Sequence, residues 1–99
     1  MEHSTAGSMA HEPGLKTDLA RRLRTASGHL TAVTRMLDEE AYCIDILKQI
    51  SAAQSSLSKV AHALSTAHMK HCVREAIQQN GGEEKIDELM EALRYLKHF

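Results

Sequence analysis

An all-α fold follows from three features of this chain. Its apolar residues are chiefly Leu, Ile, Ala, Met and Val, with no Trp and with Tyr42, Tyr95 and Phe99 as the aromatics. That is the composition of a helix former. Leu19, Leu23, Ala26, Leu30, Val33 and Leu37 recur at alternating spacings of four and three, a heptad-like seam. From Tyr42 to Gln79 no Gly or Pro interrupts the chain, so one long helix can run there.

The elements are taken in order. Residues 1–14 are polar and rich in small residues, closed by Pro13-Gly14, and read as a disordered arm. The domain is expected over residues 15–99. Thr17 or Asp18 can cap the first helix. Asp38-Glu39-Glu40 ends the periodic run and can begin the next helix with favourable N-terminal charge. In the second helix, Ile44, Leu47, Ile50, Leu57, Val60, Leu64 and Ala67 continue the seam, and Asn80-Gly81-Gly82 is a stop signal. A short third helix carries Ile86, Leu89, Met90, Leu93 and Leu96.

Two long helices joined by a tight turn form an antiparallel hairpin, which buries one stripe of each helix. The apolar positions are wider than that, with Ile46 and Ala61 flanking the seam, and the third helix is short. The surplus predicts a homodimer closed as a four-helix bundle, and beyond it a dimer-of-dimers tetramer.

Length and charge narrow the function classes. With 99 residues the chain makes one small domain. The net charge of −1 announces no nucleic-acid partner, yet Lys16, Arg21, Arg22, Arg24 and Arg35 face a single acid, Asp18, within that stretch. A local basic face is therefore possible. No run approaches the length of a membrane span, and the first residues lack the apolar segment of a signal peptide. A cytoplasmic protein with reduced thiols and no membrane partner is expected. No carboxylate pair, phosphate-binding glycine loop or Ser/His/Asp set suggests an enzyme.

The cysteines carry the chemistry. Cys43 and Cys72 are too sparse for a disulfide scaffold. His68 stands four residues before Cys72, so on a helix both leave one face and can hold a soft metal ion. Cys43 lies 25 positions before His68, roughly 37 Å along a continuous helix. It can join them if the helix folds back or if a second copy of the chain completes the site. The bland alternative is a buried thiol and a surface imidazole.

Four stretches together make a pattern: Arg21-Arg22-Leu23-Arg24 through Gly28; Arg35-Met36-Leu37-Asp38-Glu39-Glu40; Tyr42-Cys43-Ile44-Asp45-Ile46-Leu47-Lys48-Gln49-Ile50-Ser51-Ala52; and His68-Met69-Lys70-His71-Cys72-Val73. Over about Leu15 to Leu96 the chain resembles the CsoR/RcnR family of small helical bacterial repressors that sense metals or reactive small molecules. The resemblance implies Cu(I) ligands at Cys43, His68 and Cys72, with Tyr42 and Glu88 as partners of the ligand histidine. Cys72 departs from the formaldehyde-sensing branch, and His68 from the persulfide-sensing branch.

The resemblance also implies operator DNA as partner, contacted through Arg21, Arg22, Arg24 and Lys59. His29 and Thr31 stand where the family usually has Gln and Arg, so the preferred operator is expected to differ. Nickel and cobalt sensors of the family add an N-terminal histidine, whose interval falls on His11. With it the set could hold Ni(II) or Zn(II). His29, His62 and His71 read as surface or packing residues. The expected function is a Cu(I)-responsive repressor that leaves its operator on binding metal. A Ni(II) or Zn(II) sensor of the same fold, or a metal-storage or metallochaperone protein without DNA binding, is the alternative.

Overall fold

The computed structural model describes residues 12–79 and 82–99. It is helical among them: α1 (Leu15–Asp38), α2 (Cys43–Gln79) and α3 (Gly82–Leu96). These residues fall into two compact units. One is Thr17–Val60; the other is Ala61–Phe99 with the described residues up to Lys16. Of the expected arm, residues 1–11 lie outside the described residues.

Local chemistry sets each helix end. Before α1, the Leu15 amide donates to the Glu12 carbonyl at 3.1 Å. Pro13 and Gly14 occupy the bend, and Gly14 has φ of 84°. That is the arrangement of a type II turn, in which Pro presets the first central φ and Gly takes the positive one. The helix thus begins before Thr17 and Asp18, and the expected cap at those residues is corrected. Asp18 instead lies in the first turn and pairs with Arg21 and Arg22.

At the far end of α1 the Ala41 amide returns to the Met36 carbonyl at 2.9 Å and the Glu40 amide to the Leu37 carbonyl at 3.1 Å. These are the paired bonds of a Schellman motif. Its left-handed position is filled by Glu40, with φ of 53°. Asp38-Glu39-Glu40 therefore closes α1 and does not open α2. The Tyr42 carbonyl accepts from the Asp45 and Ile46 amides, so Tyr42 is the residue from which α2 departs, with Asp45 as the acid of its first turn. In α3, Glu83 and Glu84 stand at the positive end of the helix dipole and Arg94 at the negative end.

Within Thr17–Val60, α1 and the first half of α2 make the antiparallel hairpin. His29 Nδ1 meets Gln49 Oε1 at 2.8 Å across it, which fixes the register. The buried side chains are Leu19, Ala26, Ile46, Ala53 and Val60, and Ala67 extends the row on α2. These positions repeat every seven residues on each helix. The expected seam is thus only partly the one used. Leu19, Ala26, Val60 and Ala67 are buried, whereas Leu23, Leu30, Leu37, Ile44, Leu47, Ile50, Leu57 and Leu64 remain exposed. The reason is size. The buried row of the hairpin has small side chains at 26 and 53, small side chains favour a close approach of two helices, and the bulky Leu residues are left on the neighbouring stripe.

Candidate metal centre

Ala61–Phe99 is held together by a mixed apolar and polar contact between the end of α2 and α3. Cys72 is almost fully buried, with 3% of its surface exposed. Its Sγ donates to the Lys85 carbonyl of α3 at 3.2 Å. Beside it lies an apolar cavity of about 230 Å³ lined by Cys72, Val73, Ala76, Lys85, Ile86 and Leu89. Burial pushes the Cys72 thiol up from its ordinary range, and the negative Glu88 adds to this. The free thiol is therefore protonated near neutral pH, and a metal ion must displace that proton.

One helical turn before Cys72, His68 turns Nε2 toward Glu88 Oε2 at 3.9 Å. Among the described residues, donor atoms of His68, Cys72 and Glu88 all lie within 4.8 Å of one another. An imidazole, a thiol and a carboxylate converge from two helices, and the nitrogen–sulfur pair fits a soft or borderline ion.

A network of charges supports this group. Lys85 Nζ stands 2.5 Å from Glu75 Oε2 and 3.7 Å from Glu88 Oε1. His71 Nε2 is 3.0 Å from Glu75 Oε1. The hydrogen bond from Lys85 holds the Glu75 carboxyl below its usual range, and the same bond raises Lys85 above its own. Glu75 and Lys85 thereby pin α3 to α2 and orient Glu88. Neither residue stood out in the sequence. His71–Glu75 and Lys85–Glu88 have readable helical spacings, but the link between the two helices has no sequence signature.

The other expected ligand and its neighbour are elsewhere. Cys43 is the first residue of α2 and is exposed, as is Tyr42 before it. Among the described residues, Cys43 is not one of the donors that converge with His68, Cys72 and Glu88. His11 lies outside the described residues. Of the remaining histidines, His29 bonds Gln49 and His71 pairs with Glu75.

The residues expected at DNA, Arg21, Arg22, Arg24 and Lys59, all fall in Thr17–Val60. From the His29–Gln49 register, Lys59 is level with Leu19 and so lies within a turn of Arg21 and Arg22. Asp18 Oδ1 takes the Arg21 guanidinium at 2.6 Å and Asp18 Oδ2 that of Arg22 at 3.0 Å. These bonds, that of Arg22 foremost, hold the Asp18 carboxyl below its ordinary range. No helix among the described residues is long and apolar enough to cross a membrane.

Comparison with known proteins shows the family. Residues 15–95 match the family model described as "Metal-sensitive transcriptional repressor". The chain is 41% identical over 88 residues to the copper-sensing transcriptional repressor CsoR of Mycobacterium ulcerans, covering 88% of this chain and 75% of the relative. It is 33% identical over 94 residues to CsoR of Bacillus subtilis, covering 94% and 93%. Among solved structures, the nickel-responsive transcriptional regulator InrS superposes with a TM-score of 0.74 at 31% identity, over 81% of this chain and 90% of that one. A helical hairpin, a short third helix and a histidine–cysteine pair on α2 thus occur in a chain that belongs to the CsoR/RcnR family of metal-sensitive transcriptional repressors.

Proposed function

We propose that this repressor senses Cu(I): its metal-free form holds operator DNA, and Cu(I) bound through Cys43, His68 and Cys72 lowers its affinity for that DNA. The observation that carries the reading is the pairing of His68 and Cys72 on one face of α2, against a carboxylate of α3, in a chain similar to relatives named as copper sensors. Thiolate and imidazole ligands suit Cu(I).

Bound Cu(I) would supply a bond from Cys43 of one copy to the His68–Cys72 pair of another. The chain's own residues transmit the change. His68 and Cys72 sit against α3 through Glu88 and the Lys85 carbonyl, so drawing the two ligands together moves α3 relative to α2. Tyr42, beside Cys43, would arrive with the second copy and orient the ligand imidazole together with Glu88. Arg21, Arg22, Arg24 and Lys59 would meet the phosphates. By linkage, DNA must weaken Cu(I) binding by the factor by which Cu(I) weakens DNA binding.

In this reading residues 15–99 are the working domain, assembled as a dimer and then a tetramer and acting in the cytoplasm. The second reading, a Ni(II) sensor with His11 as a fourth ligand, draws on the likeness to the nickel-responsive InrS. Cys43→Ala tests the copper reading. It is expected to bind DNA as the natural chain does and to keep that affinity when Cu(I) is added. Release of the variant by Cu(I) at natural-chain concentrations would show that Cys43 is no ligand.

A further inference from the structure

We propose that His68, Cys72 and Glu88 form, within a single chain, a nitrogen–sulfur–oxygen site for a borderline divalent ion, Zn(II) or Co(II), that does not use Cys43. The proposal rests on the reading above only in taking His68 and Cys72 as ligands. The identity of the third donor separates the two sites.

Geometry is the first argument. The three donor atoms are already within 4.8 Å of one another. Two ligands on one tetrahedral Zn(II) stand roughly 3.3–3.6 Å apart, given metal–ligand bonds of about 2.0–2.3 Å. The donors therefore need to close by at most about 1.5 Å, within the reach of side-chain adjustment of the partly exposed His68 and Glu88. His68 Nε2 and Glu88 Oε2 at 3.9 Å are too far apart for a hydrogen bond yet close to the spacing of two ligands on one ion.

The second argument is how Glu88 is held. Its Oε1 faces Lys85 at 3.7 Å and its Oε2 faces His68. Lys85 can therefore keep one oxygen while the other binds an ion, the usual way an outer partner orients a ligating carboxylate. Glu75 already pairs with Lys85, so the Lys85 charge is largely offset before any ion arrives. A Cys72 thiolate and the Glu88 carboxylate then balance a divalent charge. On binding, Cys72 gives its proton to solvent and its bond to the Lys85 carbonyl is exchanged for one to the metal. His68, with a third of its side chain exposed, leaves room for water as a fourth ligand.

Sharing His68 and Cys72 makes the two modes exclusive. A carboxylate oxygen is a good third donor for Zn(II) or Co(II) and a poor one for Cu(I), so copper needs the Cys43 thiolate, whereas a divalent ion, which a thiolate also suits, finds Glu88 already beside the pair in its own chain. The same histidine–cysteine pair thus takes Glu88 for a borderline divalent ion and Cys43 for copper, and only copper ties two chains together.

Co(II) absorption on the full chain, without DNA, tests this. One Co(II) per chain is expected, with the ligand-field bands of a tetrahedral ion and the charge-transfer intensity of a single thiolate. Cys43→Ser is expected to give the same spectrum and affinity, and Glu88→Gln to weaken Co(II) by about tenfold or more. Because Glu88→Gln can also disturb the contact between α2 and α3, alkylation of the unaltered chain by iodoacetamide is the second measurement. Stoichiometric Zn(II) is expected to protect Cys72 and leave the rate at Cys43 unchanged. The proposal is overturned if Cys43→Ser lowers the charge-transfer intensity, if Zn(II) slows alkylation of Cys43 in step with its binding, or if Glu88→Gln binds Co(II) like the natural chain. Any of these results can occur whether or not Cu(I) releases DNA, so the two readings fail separately.

Discussion

Asp18 sets how much of the α1 basic cluster is available to a phosphate. It engages both Arg21 and Arg22, and its lowered carboxyl keeps it ionised throughout the neutral range. A phosphate that takes either guanidinium must first displace it. Asp18→Asn removes the competing charge and leaves a side chain of the same shape. The variant is expected to bind DNA more tightly by a factor on the order of two to ten at low salt, with a steeper loss of affinity as salt rises. Titration of a labelled duplex at several salt concentrations checks it; unchanged affinity and slope would mean that Arg21 and Arg22 do not meet phosphate.

Residues also differ in how legible they were. His68 and Cys72 were readable because a spacing of four on a helix needs no knowledge of the rest of the fold. The basic cluster was readable as composition, but its pairing with Asp18 depended on where α1 begins. Glu88 was marked by family resemblance alone. Its place 16 positions beyond Cys72 means nothing until α3 is docked, and docking depends on Glu75 and Lys85, two unremarkable surface types.

At the level of elements, the helices and their order were readable from periodicity and from the long stretch free of Gly and Pro. Their phase was less so. A pattern of apolar and polar positions does not record size, and size decides which stripe two helices share. Ala53, a small and inconspicuous residue in that pattern, lies at the centre of the buried row, with 2% of its surface exposed. The helix ends were read least well, because Asp38-Glu39-Glu40 has the charge of a helix start and the backbone of a helix stop. Glu40 there takes a left-handed conformation that costs a side-chain-bearing residue roughly 1–2 kcal/mol, offset in part by the extra freedom glycine has in the unfolded chain. Glu40→Gly is therefore expected to stabilise the chain by about 0.5–1 kcal/mol. Urea unfolding followed by helical ellipticity measures it, and a lowered midpoint would show that the Glu40 side chain makes up the conformational cost.

For the whole molecule, the apolar stripe left uncovered is the feature that most needs explaining. Leu23, Leu30 and Leu37 on α1 and Ile50 and Leu57 on α2 repeat at seven and remain exposed in one chain, Leu30 by 50%. Soluble monomers rarely present so continuous an apolar surface. It is the stripe that the sequence assigned to a seam, and a second copy is the natural cover for it. In solution the natural chain is expected to have a mass several times its 11.0 kDa. Leu57→Lys is expected to shift that mass toward a single chain while helix content persists, as read by light scattering and circular dichroism. An unchanged mass would place the interface on another face.

Assembly matters because the proposed copper site spans two copies. The measurement that meets the central claim most directly is fluorescence anisotropy of a labelled duplex, selected by the metal-free protein from random sequence, as Cu(I) is added without oxygen. The account predicts that anisotropy falls to that of the free duplex as about one Cu(I) per chain is taken up, the stoichiometry of a site shared equally in a symmetric assembly. A duplex that stays bound once Cu(I) fills the protein would contradict it.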